Sequence, residues 1–248
     1  MEKNRLIIGY PAALYDGILR ENTLHSHHSI QILFDCPGMV YPEEREEPVS
    51  CRHIILSPGL PHRVDTEGQR VLSLLIEPES PLGWALFDRY LGEEPYSSDP
   101  EGLVPPGDNH DDPSEELETV LYSLHLLISE KSYQEVHPAV ERAMNILRSN
   151  TDRIPSVGEL ACEAGISESR LVHLFGEYPG VPVDRYILWQ RIRKAVEYAA
   201  ARGEDLTTSS HLPGFADSAR LSRTFRRFFG YSPSSILKDG RNVQVHFV

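Results

Sequence analysis

Residues 214–233 read GFADSARLSRTFRRFFGYSP, and four arginines, Arg220, Arg223, Arg226 and Arg227, fall within eight of them. With Arg220 set at 0° on a helix of 100° per residue, Arg227 lies at about 340°, Arg223 at about 300° and Arg226 at about 240°. Phe228, Leu221 and Phe225 lie at about 80°, 100° and 140°, so one face is basic and the other apolar. A charged run of this kind is usually a solvated face. Here no acid follows Asp217 along the helix. The layout is the one a helix needs to lie in a DNA major groove: an apolar back to bury, and arginines to meet phosphates and guanine edges.

The chain as a whole carries a formal net charge of -13 over 248 residues, which is the wrong sign for a DNA-binding protein. The charge is unevenly divided. Residues 1–137 hold 9 Lys+Arg against 25 Asp+Glu, a balance of -16, and residues 138–248 hold 15 against 12, a balance of +3. An acidic first part repels nucleic acid while the second part is free to bind it. The length suits two modest domains. No apolar run is long enough for a membrane span, and the first residues, MEKNRLIIGYPAALYDG, lack the pattern of a secretion signal, so a cytoplasmic protein is expected. Three scattered cysteines imply no disulfide framework.

The basic segment has a counterpart earlier in the chain. Ala161-x-x-x-Gly165-Ile166 matches Ser210-x-x-x-Gly214-Phe215, and Leu171, Phe175 and Gly180 match Leu221, Phe225 and Gly230. Each copy reads helix, Gly turn, helix, with a small residue four positions before the turn Gly so that two helices cross closely. Ser156 with Glu159 forms a capping box, Ser167 caps the second helix of copy one, and Asp217 caps that of copy two. Between the copies, residues 183–201 read as one helix of roughly 28 Å. Such a strut sets two recognition helices at about the 34 Å spacing of successive major grooves.

The pattern Leu160-Ala161-x-x-x-Gly165-x-Ser167-x-x-x-Leu171-x-x-Leu174-Phe175, then Arg191-Ile192-x-x-Ala195, then Gly214-Phe215-x-Asp217-x-x-x-Leu221-Ser222-Arg223-x-Phe225-Arg226-x-x-x-Gly230-Tyr231-Ser232-Pro233, strongly resembles the AraC/XylS family of bacterial transcription regulators. The resemblance covers about residues 138–238. It implies two helix-turn-helix units, binding to double-stranded promoter or operator DNA, and commonly contact with RNA polymerase. It places base-reading positions at Ser169, Val172 and His173 in the first unit and at Ala219, Arg220 and Arg223 in the second, with Arg226 and Arg227 completing the basic face. Two departures stand out: Ser210 where the family usually has Ala, and Pro213 just before the turn Gly, which removes an N–H and disfavours helix at Leu212.

Residues 5–80 read as short strands, such as SIQILF, CRHIILS and RVLSLLIE, separated by Pro/Gly turns, which suggests a small antiparallel barrel or sandwich. Residues 81–91 read as a helix with Pro at its start, and 92–113 as a polar loop or tether. From Ser114, Leu117, Val120, Leu121, Leu124, Leu127 and Ile128 form a helical stripe that either packs on the barrel or makes a homodimer seam. From His137 onward the chain reads as helix. The expected fold is therefore α+β and multidomain. An antiparallel β-barrel sensor occupies 1–91, and a tether and striped helix 92–136. An all-α DNA-binding domain occupies 137–248, with helix-turn-helix units at about 156–176 and 206–229.

In the first part, LHSHHSIQILF places His25, His27, Ser29 and Gln31 on one face of a strand, and SPGLPH places His62 after a Pro-Gly turn. His-x-His-x-x-x-Gln with Pro-Gly-x-x-His resembles, more weakly, the two half-motifs of a cupin barrel. Metal-binding cupins hold a divalent metal with two histidines, a Glu and a later His; here Gln31 stands in place of Glu. Three imidazoles can still hold Zn, Ni, Cu or Fe. The alternative is that His25, His27, Gln31 and His62 line an organic-ligand pocket or satisfy hydrogen bonds. His28 is expected to point away from His25 and His27. Cys36 and Cys51 read as inert buried residues, with thiolate ligands or a redox sensor as the other options.

The leading functional reading is a non-enzymatic transcription regulator controlled by a small-molecule effector bound in the cupin-like domain. A cupin-type metalloenzyme fused to DNA-binding helices is the alternative from another class, and the missing Glu counts against it. An architectural DNA binder with a vestigial barrel is a third.

Overall fold

The structure is a computed structural model. It describes residues 4–18, 23–36, 39–43, 46–105, 113–127, 136–149, 153–177, 182–202, 215–229, 233 and 243–247. Two compact units emerge, one formed by residues 1–133 with 224–248 and the other by 134–223.

In the first unit the strands are β1 (Asn4–Ile8), β2 (Ala12–Ile18), β3 (Ile30–Phe34), β4 (Val40–Pro42), β5 (Ile54–Leu56), β6 (His62–Val64), β7 (Arg70–Ile76), β8 (Tyr96–Ser98) and β9 (Val243–Phe247). Seven form one sheet in the order β8-β5-β3-β7-β2-β1-β9, and β4 pairs with β6 in a second. Every pairing is antiparallel except that of β1 with β9. Short loops between β-rich segments explain the antiparallel majority, since a parallel pair needs a long crossover. The unit is thus the antiparallel, sheet-rich domain that the strand pattern implies.

All five residues of β3 are buried. Ile30, Ile32 and Phe34 alternate onto an apolar face that packs with Ile7, Leu14, Ile55, Leu74 and Ile76. Gln31 alternates to the other face, where its amide Nε2 donates to Ser73 Oγ of β7 at 2.9 Å. One side of the sheet is therefore a hydrocarbon core, and the other sets Gln31 and Ser73 among buried apolar residues such as Leu33, Ile54 and Leu75.

Helix α1 (Pro81–Leu86) begins at an N-cap Ser80 whose Oγ accepts from the Gly83 N–H, and runs on through a π-helical turn to Leu91. Gly83 is required there: a Cβ would lie 2.3 Å from the Glu77 carbonyl oxygen. Helix α2 (Pro113–Leu127) lays Leu117, Val120 and Leu124 into the apolar core. Each such burial stabilises by about 1.5–3 kcal/mol, so these three stripe residues belong to the unit's own core.

Two segments differ from the sequence expectation. The stretch 92–113, read as a loop or tether, contains β8, which pairs with β5, and Leu103, which joins the core. Residues 137–248, read as helical, contain β9. Val243-x-Val245-x-Phe247 has the period of two that a strand requires, and its partner is β1 at the far end of the chain.

The second unit holds α3 (Pro138–Ser149), α4 (Val157–Ala164), α5 (Glu168–Glu177) and α6 (Val183–Arg202). Helix α7 (Ser218–Phe229) runs across the boundary between units. Ala139, Val140, Ala143, Met144 and Leu147 of α3 are buried, as are Leu160, Ala161 and Ala164 of α4. Arg142 of α3 donates to the Ala164 carbonyl at 2.7 Å, placing a cation on the last turn of α4.

Candidate functional site

The turn between α4 and α5 is fixed by backbone chemistry. Ser156 Oγ accepts from the Glu159 N–H while the Glu159 carboxylate accepts from the Ser156 N–H at 2.8 Å, closing the capping box. At the other end Gly165 adopts φ 75°, ψ 28°. Its N–H donates to Cys162 O at 3.1 Å and that of Ile166 to Ala161 O at 3.0 Å, the pair of bonds that ends a helix in a left-handed residue. Ser167 Oγ then accepts from the Arg170 N–H at 3.3 Å and starts α5. The result is a helix-turn-helix.

Leu171, Leu174 and Phe175 of α5 are buried, and Phe175 stacks 5.9 Å from Tyr186 of α6. Ser169, Val172 and His173 of α5, the positions expected to read bases, are exposed. His173 Nε2 lies 3.1 Å from Glu177 Oε1. On α7, Asp217 Oδ1 accepts from the Arg220 N–H at 2.6 Å. Leu221, Phe225 and Phe228 are buried and Ala219, Arg220, Arg223, Arg226 and Arg227 exposed, as the helical wheel implies. Ser210, Pro213 and Gly214, and hence the first helix of the second helix-turn-helix, lie outside the described residues.

One cation outside the site residues singled out from the sequence is electrostatically tied to α7. Arg191 of α6 is partly buried, and burial followed by repulsion from Arg220 lowers its pKa. Its place in the Arg191-Ile192-x-x-Ala195 pattern was the available signal.

In the sheet-rich unit the chain brings His25, His27 and His62 together. His25 and His62 exchange backbone hydrogen bonds of 3.0 and 2.8 Å. The ring centroids lie 4.2 Å (His25–His62), 5.1 Å (His27–His62) and 5.8 Å (His25–His27) apart. One ring nitrogen from each lies within 4.8 Å of the others, and all three residues are buried. His28 is separate: it is fully buried, with Nε2 3.8 Å from Glu79 Oε2.

The protonation of the cluster follows from its partners. Nδ1 of His25 meets Thr23 O at 2.9 Å, that of His27 meets Ser29 O at 3.0 Å, and that of His62 meets Leu60 O at 3.0 Å. A carbonyl only accepts, so each Nδ1 carries the proton and each ring offers an Nε2 lone pair. Burial, with repulsion from His27, lowers the His25 pKa to about 3. Burial first, then the other two imidazoles, holds His62 well below the ordinary value.

Gln31 completes the arrangement. His27 Nε2 lies 3.1 Å from Gln31 Oε1, while Gln31 Nε2 faces Ser73 Oγ. Keeping the amide in that sense puts a second proton, and a charge, on a ring buried beside two imidazoles. Rotating the amide by half a turn lets its N–H donate to His27 Nε2 and its oxygen accept from Ser73, which satisfies every group. His62 Nε2 is left buried with no hydrogen-bond partner.

Three Nδ1–H groups anchored on backbone carbonyls is the outer-shell pattern that orients imidazoles toward a metal, although the His27 Nε2 lone pair is taken up by Gln31 in this arrangement. The residues fit such an ion. The donor set is neutral and nitrogen-only, which suits Zn, Ni, Cu or Fe and disfavours Mg or Ca. Sequence reasoning found the three histidines and Gln31 but not the carbonyls or Ser73, which only the register reveals.

Fold and sites together define a protein in two parts, an antiparallel sheet unit with an enclosed imidazole cluster and a helix-turn-helix unit that follows it in the chain. Residues 160–239 match the family described as "Helix-turn-helix domain". The "Probable transcriptional regulator LumQ" of Photobacterium leiognathi is 24% identical over 241 residues, covering 90% of this chain and 95% of that protein. The Msm operon regulatory protein of Streptococcus mutans is 26% identical over 113 residues, 46% of this chain and 41% of that one. ToxT of Vibrio cholerae bound to an unsaturated fatty acid is similar with a TM-score of 0.54 at 13% identity, covering 95% of this chain and 96% of that one. An apo variant of ToxT gives 0.55 at 14% identity, covering 91% and 96%. The likeness to ToxT is one of fold, and it spans both parts. Among the described residues no helix is long and apolar enough to cross a membrane.

Proposed function

We propose that the protein is a sequence-specific DNA-binding transcription regulator whose sheet-rich unit binds a small-molecule effector. The observation that carries this reading is α7, whose buried Leu221, Phe225 and Phe228 back an exposed face bearing Arg220, Arg223, Arg226 and Arg227. Arginine in a major groove bonds guanine O6 and N7 in pairs, and the remaining arginines meet phosphate. On α5, Ser169 and His173 supply hydrogen bonds and Val172 an apolar contact. Anisotropy titration of the full chain against a promoter fragment and a scrambled duplex tests this. The promoter binds tighter, and Arg223→Ala lowers that specific affinity by about 1–3 kcal/mol. Equal affinity for both duplexes, unmoved by Arg223→Ala, overturns sequence reading by α7.

A second reading concerns the effector site and rests on the orphaned His62 Nε2. His25, His27 and His62 would hold a divalent Zn, Ni, Cu or Fe ion, with the Gln31 amide moving off His27 Nε2 to free that lone pair. An ion held there would supply a Lewis acid toward an anionic effector. ToxT has been solved with an unsaturated fatty acid and with (E)-4-(8-methylnaphthalen-1-yl)but-3-enoic acid, both carboxylic acids. An organic carboxylate is therefore the first effector class to screen. Metal analysis of protein purified without a polyhistidine tag decides the matter: stoichiometric metal lost in His62→Ala supports the site, and metal-free protein that still responds to an organic effector removes it.

RNA polymerase contact and a homodimer belong to the same regulatory reading. A homodimer formed through α2 would use Tyr122 and Leu126, exposed on its outer side, because Leu117, Val120 and Leu124 are committed to the core.

A further inference from the structure

The β3–β5 ladder pairs Gln31 with Leu56, Ile32 with Ile55 and Leu33 with Ile54, so the residue numbers of each pair total 87. The same relation continues beyond the strand ends. Phe34 and His53 have ring centroids 5.9 Å apart, and Arg52 Nε donates to Asp35 Oδ1 at 2.6 Å. The next pair in this series is Cys36 and Cys51. The Cys36 N–H donates to Arg52 O at 2.8 Å, one residue off the ladder's register after Asp35 with φ 47°, so the two segments stay bonded and Cys36 lies against the Cys51–Arg52 step. Asp99 Oδ1 accepts from the N–H groups of Arg52 and His53 at 2.7 and 2.8 Å and holds the second segment in place.

Directly opposed residues on antiparallel segments have Cβ atoms about 4.5–5.5 Å apart. A disulfide needs about 3.5–4.5 Å, a small closure. Both cysteines are free and buried, and Cys51 is flanked by exposed Ser50 and Arg52. Cys162 lies in the other unit and is exposed.

We propose that Cys36 and Cys51 form an oxidation site, a thiol pair that closes to an intramolecular disulfide on reaction with a low-molecular-weight disulfide. Cys51 attacks first: the neighbouring Cys36 thiol lowers its pKa against the effect of burial, while that of Cys36, whose Sγ–H donates to Arg52 O at 3.5 Å, is raised by Cys51 and by burial. The Cys51 thiolate attacks one sulfur of the reagent, forming a mixed disulfide and expelling one thiolate. Cys36 gives up its proton and attacks the Cys51 sulfur, expelling the second. Two protein thiols are oxidised, one reagent disulfide is reduced to two thiols, and the two protons end on those thiols. The new bond closes the loop 37–50, which carries β4, the partner of the His62 strand β6.

The test uses the full chain incubated with oxidised glutathione, quenched, alkylated under denaturing conditions and mapped by mass spectrometry. The expected result is a peptide pair joined through Cys36 and Cys51, a Tm raised by about 5 °C, and reversal of both by dithiothreitol. In Cys36→Ala the reaction stops as a glutathione adduct on Cys51, while in Cys51→Ala residue 36 stays alkylatable. Wild-type mapping needs no variant to fold, and it overturns the proposal if Cys36 and Cys51 remain alkylatable after Cys162 has been glutathionylated. A lasting adduct on wild-type Cys51, left unresolved by Cys36, overturns it equally.

Discussion

The imidazole cluster of the sheet unit and the basic face of α7 use nitrogen-bearing side chains in opposite ways. His25, His27 and His62 are buried and each fixed through Nδ1, so what His25 and His62 present is lone pairs, while Nε2 of His27 meets Gln31. Arg220, Arg223, Arg226 and Arg227 are exposed and cationic, so what they present is charge and N–H donors. Burial removes charge in one place and exposure preserves it in the other. An enclosed set of lone pairs suits an electrophile, while an exposed set of cations suits a polyanion. The two regions therefore answer to different solution variables, one to pH, the other to salt.

The largest effect should follow from neutralising the basic face. Changing Arg220, Arg223, Arg226 and Arg227 together to Gln removes up to four phosphate or base interactions. The slope of log affinity against log salt then falls by as much as about 3.6, at about 0.9 for each phosphate that is no longer neutralised. Specific affinity drops by about a thousandfold or more, read by anisotropy between 50 and 200 mM salt, roughly the range over which such interactions dominate. The matched change on α5, Arg170→Gln, shifts the slope by less than about one. If the two changes prove equal, α7 is not the main phosphate-binding element. Arg191→Gln lies between them, because it weakens the charge beside Arg220 without touching α7.

The next effect belongs to the histidines and has the opposite dependence. His25 titrates near its ordinary value in the unfolded chain but only at about 3 when folded. Between those values the unfolded chain binds the extra proton, so stability is complete above about pH 6.5 and declines as pH falls toward 3. By pH 5 the loss is about 2 kcal/mol for this one group, and His62 adds in the same direction. Urea melts of wild type and His25→Asn at pH 7 and pH 5, followed by tryptophan emission and circular dichroism, check it. An acid loss equal in both proteins would show that other groups carry the pH dependence. Salt between 50 and 200 mM, roughly the range that governs α7, should leave this transition nearly unchanged.

The helix-turn-helix was largely legible because its determinants are local. Ser156 and Glu159, Gly165, Ser167 and Asp217 act within a turn of their own position, and each forms the predicted cap or turn. The wheel drawn from Arg220 needed only the helical period, and burial of Leu221, Phe225 and Phe228 follows it. The sheet unit was less legible because its determinants are remote. β8 is three residues long, too short for a period to register, and is recruited by β5 about forty residues earlier. β9 pairs with the start of the chain. The apolar stripe of α2 was visible, but its choice between the sheet and a second protomer was not, since both bury the same residues. The histidines could be named from the sequence, whereas their tautomers depend on the carbonyls of Thr23, Ser29 and Leu60 in the folded loops. The Cys36–Cys51 opposition likewise needs the ladder register.

A smaller effect isolates the turn that aims α5. Gly165 holds φ 75°, and a Cβ there would meet nothing within 4 Å. Gly165→Ala therefore costs only the strain of a left-handed alanine, about 1 kcal/mol, in the denaturant-measured stability of the second unit. Promoter affinity should fall about as little. A loss of DNA binding well beyond the loss of stability would mean that the turn sets the angle of α5 more finely than the fold requires.

The smallest expected change is also the most selective. Val172 is 47% exposed at the centre of the α5 face, between buried Leu171 and Leu174. An exposed apolar side chain in a recognition helix reads best against the thymine methyl group, the one apolar feature of the major groove. Val172→Ala keeps the helix and trims two methyl groups from that interaction, so it should cost about 1 kcal/mol at a single base pair and nothing in the salt slope. Substituting each operator position in turn and measuring wild type against Val172→Ala locates that pair. A uniform loss at every position would make Val172 a support for the fold of α5 instead of a reader of sequence, and would leave α7 as the sole reader among the described helices.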